Sequence, residues 1–390
     1  MSRPTFSHRL PSDPRANAVT RALEELRTAG VPIVDLTESN PTRCGIPYPA
    51  GLLDPLADTQ ALHYDPHPFG LPGARAAVAA DQLRRGARVD PAHVVLTAST
   101  SEAYAWLFKL LCDPGDAVLV PQPSYPLFEH LTALEGITAL PYPVDYHGRW
   151  SIDVGGLHAA PHTVRALLVV SPNNPTGSFL NAADVREVSA VCRARGWAFI
   201  VDEVFADYRL DPSDAVTDLA ATSEVLTFSL AGLSKTVGLP QLKLGWCIVG
   251  GPPAERDEAL GALELIADSY LSVGTPVQVA APRLLEEGAA IRAAIHARIR
   301  QNLAVLRRTA SRWPACEILR TEGGWSAVIR VPALRPEEQL TLDLLRVERI
   351  LVHPGYFFDF PREAYLVVSL LPPPDLFREA SARLLQFVSG

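Results

Sequence analysis

Short, dominantly apolar runs punctuate the first two-thirds of the chain, at 93–97, 117–120, 164–170, 198–201, 225–229 and 245–249. A strand open to solvent on one side alternates apolar and polar residues. These runs do not alternate, so both of their faces must be covered. Helix signals lie between them at 101–111, 127–135 and 181–195, with an Asp-Pro-Gly-Asp turn at 113–116. Strands that alternate with helices build a mostly parallel sheet with helices on both faces. Ahead of this series the pattern predicts an amphipathic helix over 15–29 ending at Gly30, a strand over 34–36 and a polar turn over 37–42. Beyond Pro276 the texture changes. A long helical stretch runs to about 311, strand-like segments follow at 317–320 and 327–331, and helices at about 336–346 and 374–388 flank a strand at 365–370. The expected organisation is an N-terminal helix and arm over 1–45, serving the small lobe and the substrate side. A large α/β domain over 46–275 and a smaller α+β domain over 276–390 follow it.

The bulk properties exclude several classes of function. With 35 basic and 43 acidic residues the formal charge is −8, which disfavours a nucleic-acid-binding surface. No apolar stretch approaches the roughly 18–20 residues of a membrane span, and residues 1–30 lack an apolar signal core. The cysteines Cys44, Cys112, Cys192, Cys247 and Cys316 are scattered and odd in number. They suggest neither a disulfide framework nor a zinc site, and a reducing, cytoplasmic location is expected. His63, His67 and His93 match no metal-ligand spacing, so no metal is expected.

Polar clusters follow the strands, where open α/β sheets bind ligands. Ser99, Thr100 and Ser101 stand where a strand gives way to a helix. Their hydroxyls, with the free N–H groups of a helix start, suit a phosphate; an ordinary helix cap with Glu102 in the first turn is the alternative. Ser-Pro-Asn-Asn-Pro-Thr-Gly (171–177) follows the next strand and also reads as a turn. Asp202 and Glu203 end another. Lysine is the rarest basic residue. Only Lys109, Lys235 and Lys243 occur, and every other basic residue is arginine. Arginine cannot serve as an amine nucleophile, whereas a lysine of lowered pKa can. Gly232-Leu-Ser-Lys-Thr236 faintly imitates a phosphate-binding P-loop. That motif needs glycine where Ser234 and Leu230 stand, so ATP or GTP binding is excluded.

Taken in order, Asn-Asn-Pro-Thr-Gly (173–177), Asp-Glu (202–203) and Ser-Lys with a basic residue eight positions on (234–243) resemble fold-type-I pyridoxal-phosphate-dependent enzymes of the class I/II aminotransferase family. The resemblance implies a seven-stranded, mostly parallel large-domain sheet, pyridoxal 5′-phosphate as cofactor, and a ping-pong transamination between an amino acid or amine and a keto acid. It further implies that Lys235 binds the cofactor as a Schiff base and then shuttles the proton, while Asp202 pairs with the ring nitrogen. Asn174 would bond the phenolic oxygen and Tyr125 would stack on the ring. Ser99, Thr100, Ser101, Ser234 and Lys243 would hold the phosphate. Tyr64 would reach the partner's phosphate in a homodimer. Ser39, Asn40, Arg43 and Trp325 would border the substrate.

The chain departs from the family pattern at four places. Phe205 stands where a tyrosine usually helps bind the phenolic oxygen. Ser99 replaces a frequent glycine, and Gly232 replaces a frequent hydroxyl residue. Most consequentially, Val367 or Val368 occupies the place of the arginine that grips a substrate α-carboxylate. Either Arg43 serves instead, or the substrate is an amine or is held through its side chain. A pyridoxal-phosphate C–S β-lyase shares all the cofactor residues and is one alternative. A non-catalytic cofactor-binding protein is another, although residues 1–35 are too short and too little basic for the DNA-binding domain of such regulators.

Overall fold

The computed structural model describes residues 7–10, 17–211, 216, 219–222 and 224–390. Its large sheet contains β1 (Val94–Thr97), β2 (Ala117–Gln122), β3 (Thr138–Tyr146), β4 (Trp150–Ile152), β5 (Val164–Val170), β6 (Ala198–Asp202), β7 (Thr227–Gly232) and β8 (Gly245–Gly250). The spatial order is β1-β8-β7-β6-β5-β2-β3-β4. Four consecutive pairings, which join β3, β2, β5, β6 and β7, are parallel. β8 is antiparallel to both β7 and β1. Every residue of β1, β6, β7 and β8 is buried, as continuous apolar runs require.

The sheet has eight strands rather than the expected seven. The eighth, β4, folds back antiparallel on the end of β3 through a tight turn with Gly148 at φ 84°. β3 itself was not expected. It carries Pro141 and Pro143 and is buried at only two positions, so it lacks the apolar signature of the central strands. Two helices were also missed. Pro72–Arg84 and Pro253–Tyr270 each begin on a proline, and the second buries only Ala259, Leu263 and Ala267, too thin a stripe to read as a pattern. The single helix expected after Pro276 is two, Thr275–Glu287 and Ala289–Ala310. Gly288 separates them where a Cβ would lie 2.5 Å from Val237 Cβ and from Leu284 O.

The smaller sheet is wholly antiparallel. It contains β9 (Glu317–Ile318), β10 (Ser326–Arg330), β11 (His353–Pro354) and β12 (Tyr365–Ser369), in the order β9-β10-β12-β11. The N-terminal arm joins this lobe, because Val34–Asp35 pairs in parallel with Ile350–Leu351. The helix before it spans Ala18–Thr28 and buries Val19 and Ala22 against Leu342, Leu345 and Leu351. Residues 15–16 of the expected helix lie outside the described residues. Because β5, β6 and β7 are parallel, their carboxyl ends share one edge. Ser171, Glu203 and the segment leading to Lys235 leave from it side by side. Among the described residues no helix is long and apolar enough to cross a membrane.

Candidate active site

Asp202 is the last residue of β6 and is buried. Its Oδ1 accepts from the Val204 N–H at 3.0 Å and its Oδ2 from the Tyr104 hydroxyl at 2.7 Å. Burial pushes its pKa up to about 6, against the lowering effect of those two donors. Lys235 lies in the one-turn helix Leu233–Thr236 that follows β7. Tyr208 donates to the Lys235 carbonyl at 2.5 Å and so anchors the turn. The ammonium lies over two rings, 4.9 Å from the centroid of Trp325 and 5.5 Å from that of Phe205. Desolvation lowers the Lys235 pKa to about 8, although the Asp202 charge opposes it. Rings and carboxylate both favour the cation, but the loss of water outweighs them.

The loop after β5 is braced by Asn173, not Asn174. Asn173 Nδ2 donates to Pro123 O at 2.9 Å and to Thr176 Oγ1 at 3.0 Å, while Ser124 Oγ donates to Asn173 Oδ1 at 3.0 Å. That buried amide ties the Asn-Asn-Pro-Thr-Gly loop to the turn bearing Tyr125, which is half exposed. Asn174 turns instead to the small lobe, where its Oδ1 accepts from Ser326 Oγ at 3.3 Å. Gly177 has φ 71°, and its carbonyl accepts from the N–H groups of Glu322 and Gly323.

Ser99 caps the helix Thr100–Leu111. Its hydroxyl accepts from the Glu102 N–H at 3.2 Å, and Glu102 in turn accepts from the Ala98 N–H at 2.7 Å. The N–H groups of Thr100 and Ser101 are the ones a helix start leaves over. Gly245 lies against them, so that a Cβ there would be 3.2 Å from Thr100 N and 3.0 Å from Ser99 C. Gly232 in turn abuts Gly245, with a Cβ position 3.0 Å from Gly245 Cα. This close backbone approach accounts for glycine where a hydroxyl residue is frequent. Ser234 is half-buried one residue before the lysine, whereas Lys243 is exposed at φ 52°. Tyr64 is 77% exposed.

On the substrate side the structure separates what the sequence grouped. Asn40 accepts from the Thr42 N–H and hydroxyl, so its side chain closes its own turn. Ser39 is exposed, and Arg43 lies on the surface 4.0 Å from Glu38. Trp325 is buried edge-on against Phe205 and Tyr208, with centroids 5.2 and 5.1 Å away, and also faces the lysine. Val367 and Val368 are both buried in β12. Ser326, Val328, Val367, Ser369 and His353 are register partners on β10, β12 and β11 and share one face. Ser326 shows that this face looks toward Asn174. His353 stacks on Phe357 at 4.6 Å, and burial pushes its pKa down to about 4, so the imidazole is neutral.

Tyr104, Tyr208 and Ser326 were missed by sequence reasoning. Tyr104 is 98 positions from the carboxylate it touches, and no local pattern carries such a contact. Ser326 was within reach, since it follows Trp325 at the start of a strand.

The family model described as aminotransferase class I and II matches residues 45–380. An alanine aminotransferase of Mycobacterium tuberculosis is 27% identical over 360 residues, covering 89% of this chain and 83% of that one. The glutamate–pyruvate aminotransferase of Escherichia coli is 24% identical over 382 residues, with 95% and 94% covered. The crystal structure of an aminotransferase from Escherichia coli superposes with a TM-score of 0.86 at 23% identity, over 100% of this chain and 99% of that one. Its likeness is one of fold. The family match spans both lobes and every strand end described above, and on it the chain belongs to the class I and II aminotransferases.

Proposed function

We propose that the chain moves an amino group between an amino acid, or an amine, and a keto acid by a ping-pong route in which Lys235 is attachment point and base. The observation that carries this reading is the pair at one sheet edge: an amine brought near neutrality and a buried carboxylate, under two aromatic rings. The family brings pyridoxal phosphate, and the donor set fits it. Lys235 supplies an amine for the aldehyde and Asp202 a carboxylate for the ring nitrogen. Asn174 supplies an amide for the phenolic oxygen, and Tyr125 a ring to stack. Thr100 and Ser101, with Ser99, Ser234 and Lys243, supply donors for the phosphate, where the backbone against Gly245 forms a cradle that a Cβ would fill.

When bound, pyridoxal phosphate supplies a carbonyl to carry the amino group and a protonated ring that draws electrons from the donor's α-carbon. Asp202 holds the proton on that ring nitrogen. Lys235 would accept the α-carbon proton, a role that requires an unprotonated amine near working pH. Trp325 and Phe205 keep water from that amine. Phe205 brings no hydroxyl, so Asn174 answers for the phenolic oxygen without a tyrosine beside it.

On the face of the small sheet that bears Ser326, the Ser326–Ser369 pair brings hydroxyls to the Asn174 end, while Val328 and Val367 are packed in the core. Its cation, Arg330, stands at the other end of the strand and is paired with Glu317. Alanine and glutamate are the first donors to test, since the curated relatives are named for them, with simple amines beside them. A second copy of the chain completes the site in this reading. Tyr64, Leu62 and Tyr270 are exposed apolar side chains that a partner would cover. Five free cysteines fit a cytoplasmic setting.

The test is an absorbance spectrum of the purified protein with each donor. A band near the visible–ultraviolet boundary is expected. It should vanish in Lys235→Ala, with activity down by at least about 10³-fold, and without a keto acid a donor should convert it once, with no further turnover. Steady release of ammonia and keto acid without an acceptor would replace the transferase reading by the lyase. Absence of any band after reconstitution would end both.

A further inference from the structure

We propose that Tyr104 is a positioning residue, whose phenol locks the Asp202 carboxylate so that its free lone pairs face the cofactor ring nitrogen. The inference rests on the role given to Asp202 above and goes beyond it.

The two donors on Asp202 take different oxygens, Val204 N–H on Oδ1 and Tyr104 hydroxyl on Oδ2. A carboxylate held at both oxygens cannot rotate about its χ2. Tyr104 is 1% exposed and sits among Val118, Val120, Ala166 and Leu168, edge-on to Phe128 at 5.5 Å. A hydroxyl in such surroundings is costly unless paired, and among the described residues Asp202 is the partner shown for it. A phenylalanine would fill the same space. The oxygen is therefore explained by the carboxylate, not by packing.

The chemistry of the donor also matters. The groups facing Asp202 are Tyr104 from the helix Thr100–Leu111, Lys235 from the turn after β7, and Glu203 beside it. Glu203 is itself engaged by Arg85 at 3.2 Å and by the Ser229 hydroxyl. Burial and the neighbouring carboxylate hold the Tyr104 phenol well above its ordinary pKa. It therefore donates at every working pH and never takes the proton, as an imidazole would. Tyr104 is also one helical turn from Thr100. One rigid helix thereby sets both the phosphate donors and the orientation of the ring-nitrogen partner, at opposite ends of the same ligand.

The test uses the full-length protein freed of cofactor and titrated with pyridoxal phosphate from pH 5 to 9. Tyr104→Phe keeps the aromatic packing. Its affinity at neutral pH is expected to fall about tenfold, and the pH below which binding is lost to rise by about one unit, because an unassisted Asp202 protonates sooner. Incorporation of 3-fluorotyrosine at 104, a stronger donor, should move that midpoint the other way. Thermal unfolding checks that each variant is folded, and the fluorotyrosine shift decides alone if the phenylalanine variant is not. An unchanged midpoint in Tyr104→Phe, where Asp202→Asn weakens binding, overturns the positioning role and leaves the function intact. Wild-type binding by Asp202→Asn overturns both.

Discussion

Lys235 and Asp202 are each held away from the charge state that water would favour. An ordinary lysine is protonated up to 10.5, but here the change falls at about 8. Capture of an aldehyde needs the free amine. The rate of pyridoxal phosphate uptake by cofactor-free protein should therefore climb about tenfold per pH unit below 8 and level off above it, as rapid-mixing absorbance would record. Asp202 works in the opposite sense. Unfolded, it loses its proton near 3.8; folded, near 6. Between those values the folded protein holds the extra proton, so stability declines as pH rises through the window and the penalty is complete above 6. Asp202→Asn should thus raise the melting temperature of cofactor-free protein at pH 8, by about 1–3 kcal/mol of stability, and the gain should disappear near pH 4. A variant that is more stable but binds cofactor worse is the mark of a residue kept for function. At this scale the sequence singled out the residues with rare chemistry or a strong motif. Lys235 stood out because lysine is scarce, and Asn174 because its motif is distinctive. Tyr104 did not, because nothing near it in the chain says that its hydroxyl meets position 202. Asn173 was read as part of a turn and of that motif but given no role of its own, although its three hydrogen bonds hold the loop together.

Among the elements, those with a single dominant signal were legible. β5 was found at its observed bounds, and the helix Thr100–Leu111 within one residue, because burial on all sides leaves an unbroken apolar run and a serine cap marks a helix start. β3, with its prolines and half-exposed pattern, and the weakly striped Pro253–Tyr270 had no such signal. The contact between β8 and the start of Thr100–Leu111 was equally hidden, since it depends on two glycines facing across neighbouring strands. Gly245→Ala tests its purpose. The new methyl would stand 3.1 Å from Thr97 Oγ1 and 3.2 Å from Thr100 N, displacing the helix start. Affinity for pyridoxal phosphate should drop by roughly tenfold, while affinity for pyridoxal, which lacks the phosphate, should change little. Equal losses for both ligands would place the phosphate elsewhere.

For the whole molecule, the seam between the lobes carries the arrangement. Gly177 allows it by taking φ 71°, and its would-be Cβ lies 2.6 Å from Gly323 O and 2.7 Å from Thr321 Cγ2. Gly177→Ala combines backbone strain with that collision and should cost about 2–4 kcal/mol, visible as a lowered urea midpoint. The same short stretch is tied a second time, because the Leu210 N–H donates to Glu322 O and the Gly324 N–H to Tyr208 O. Residues 322–324 are thus stitched to two separate loops of the large domain, immediately before Trp325. The opposite corner of the lobe is fastened as well, since the Ser124 N–H donates to Phe358 O. Trp325 therefore sits like a keystone between two fixed supports, and its ring is held in register with the Lys235 amine at 4.9 Å.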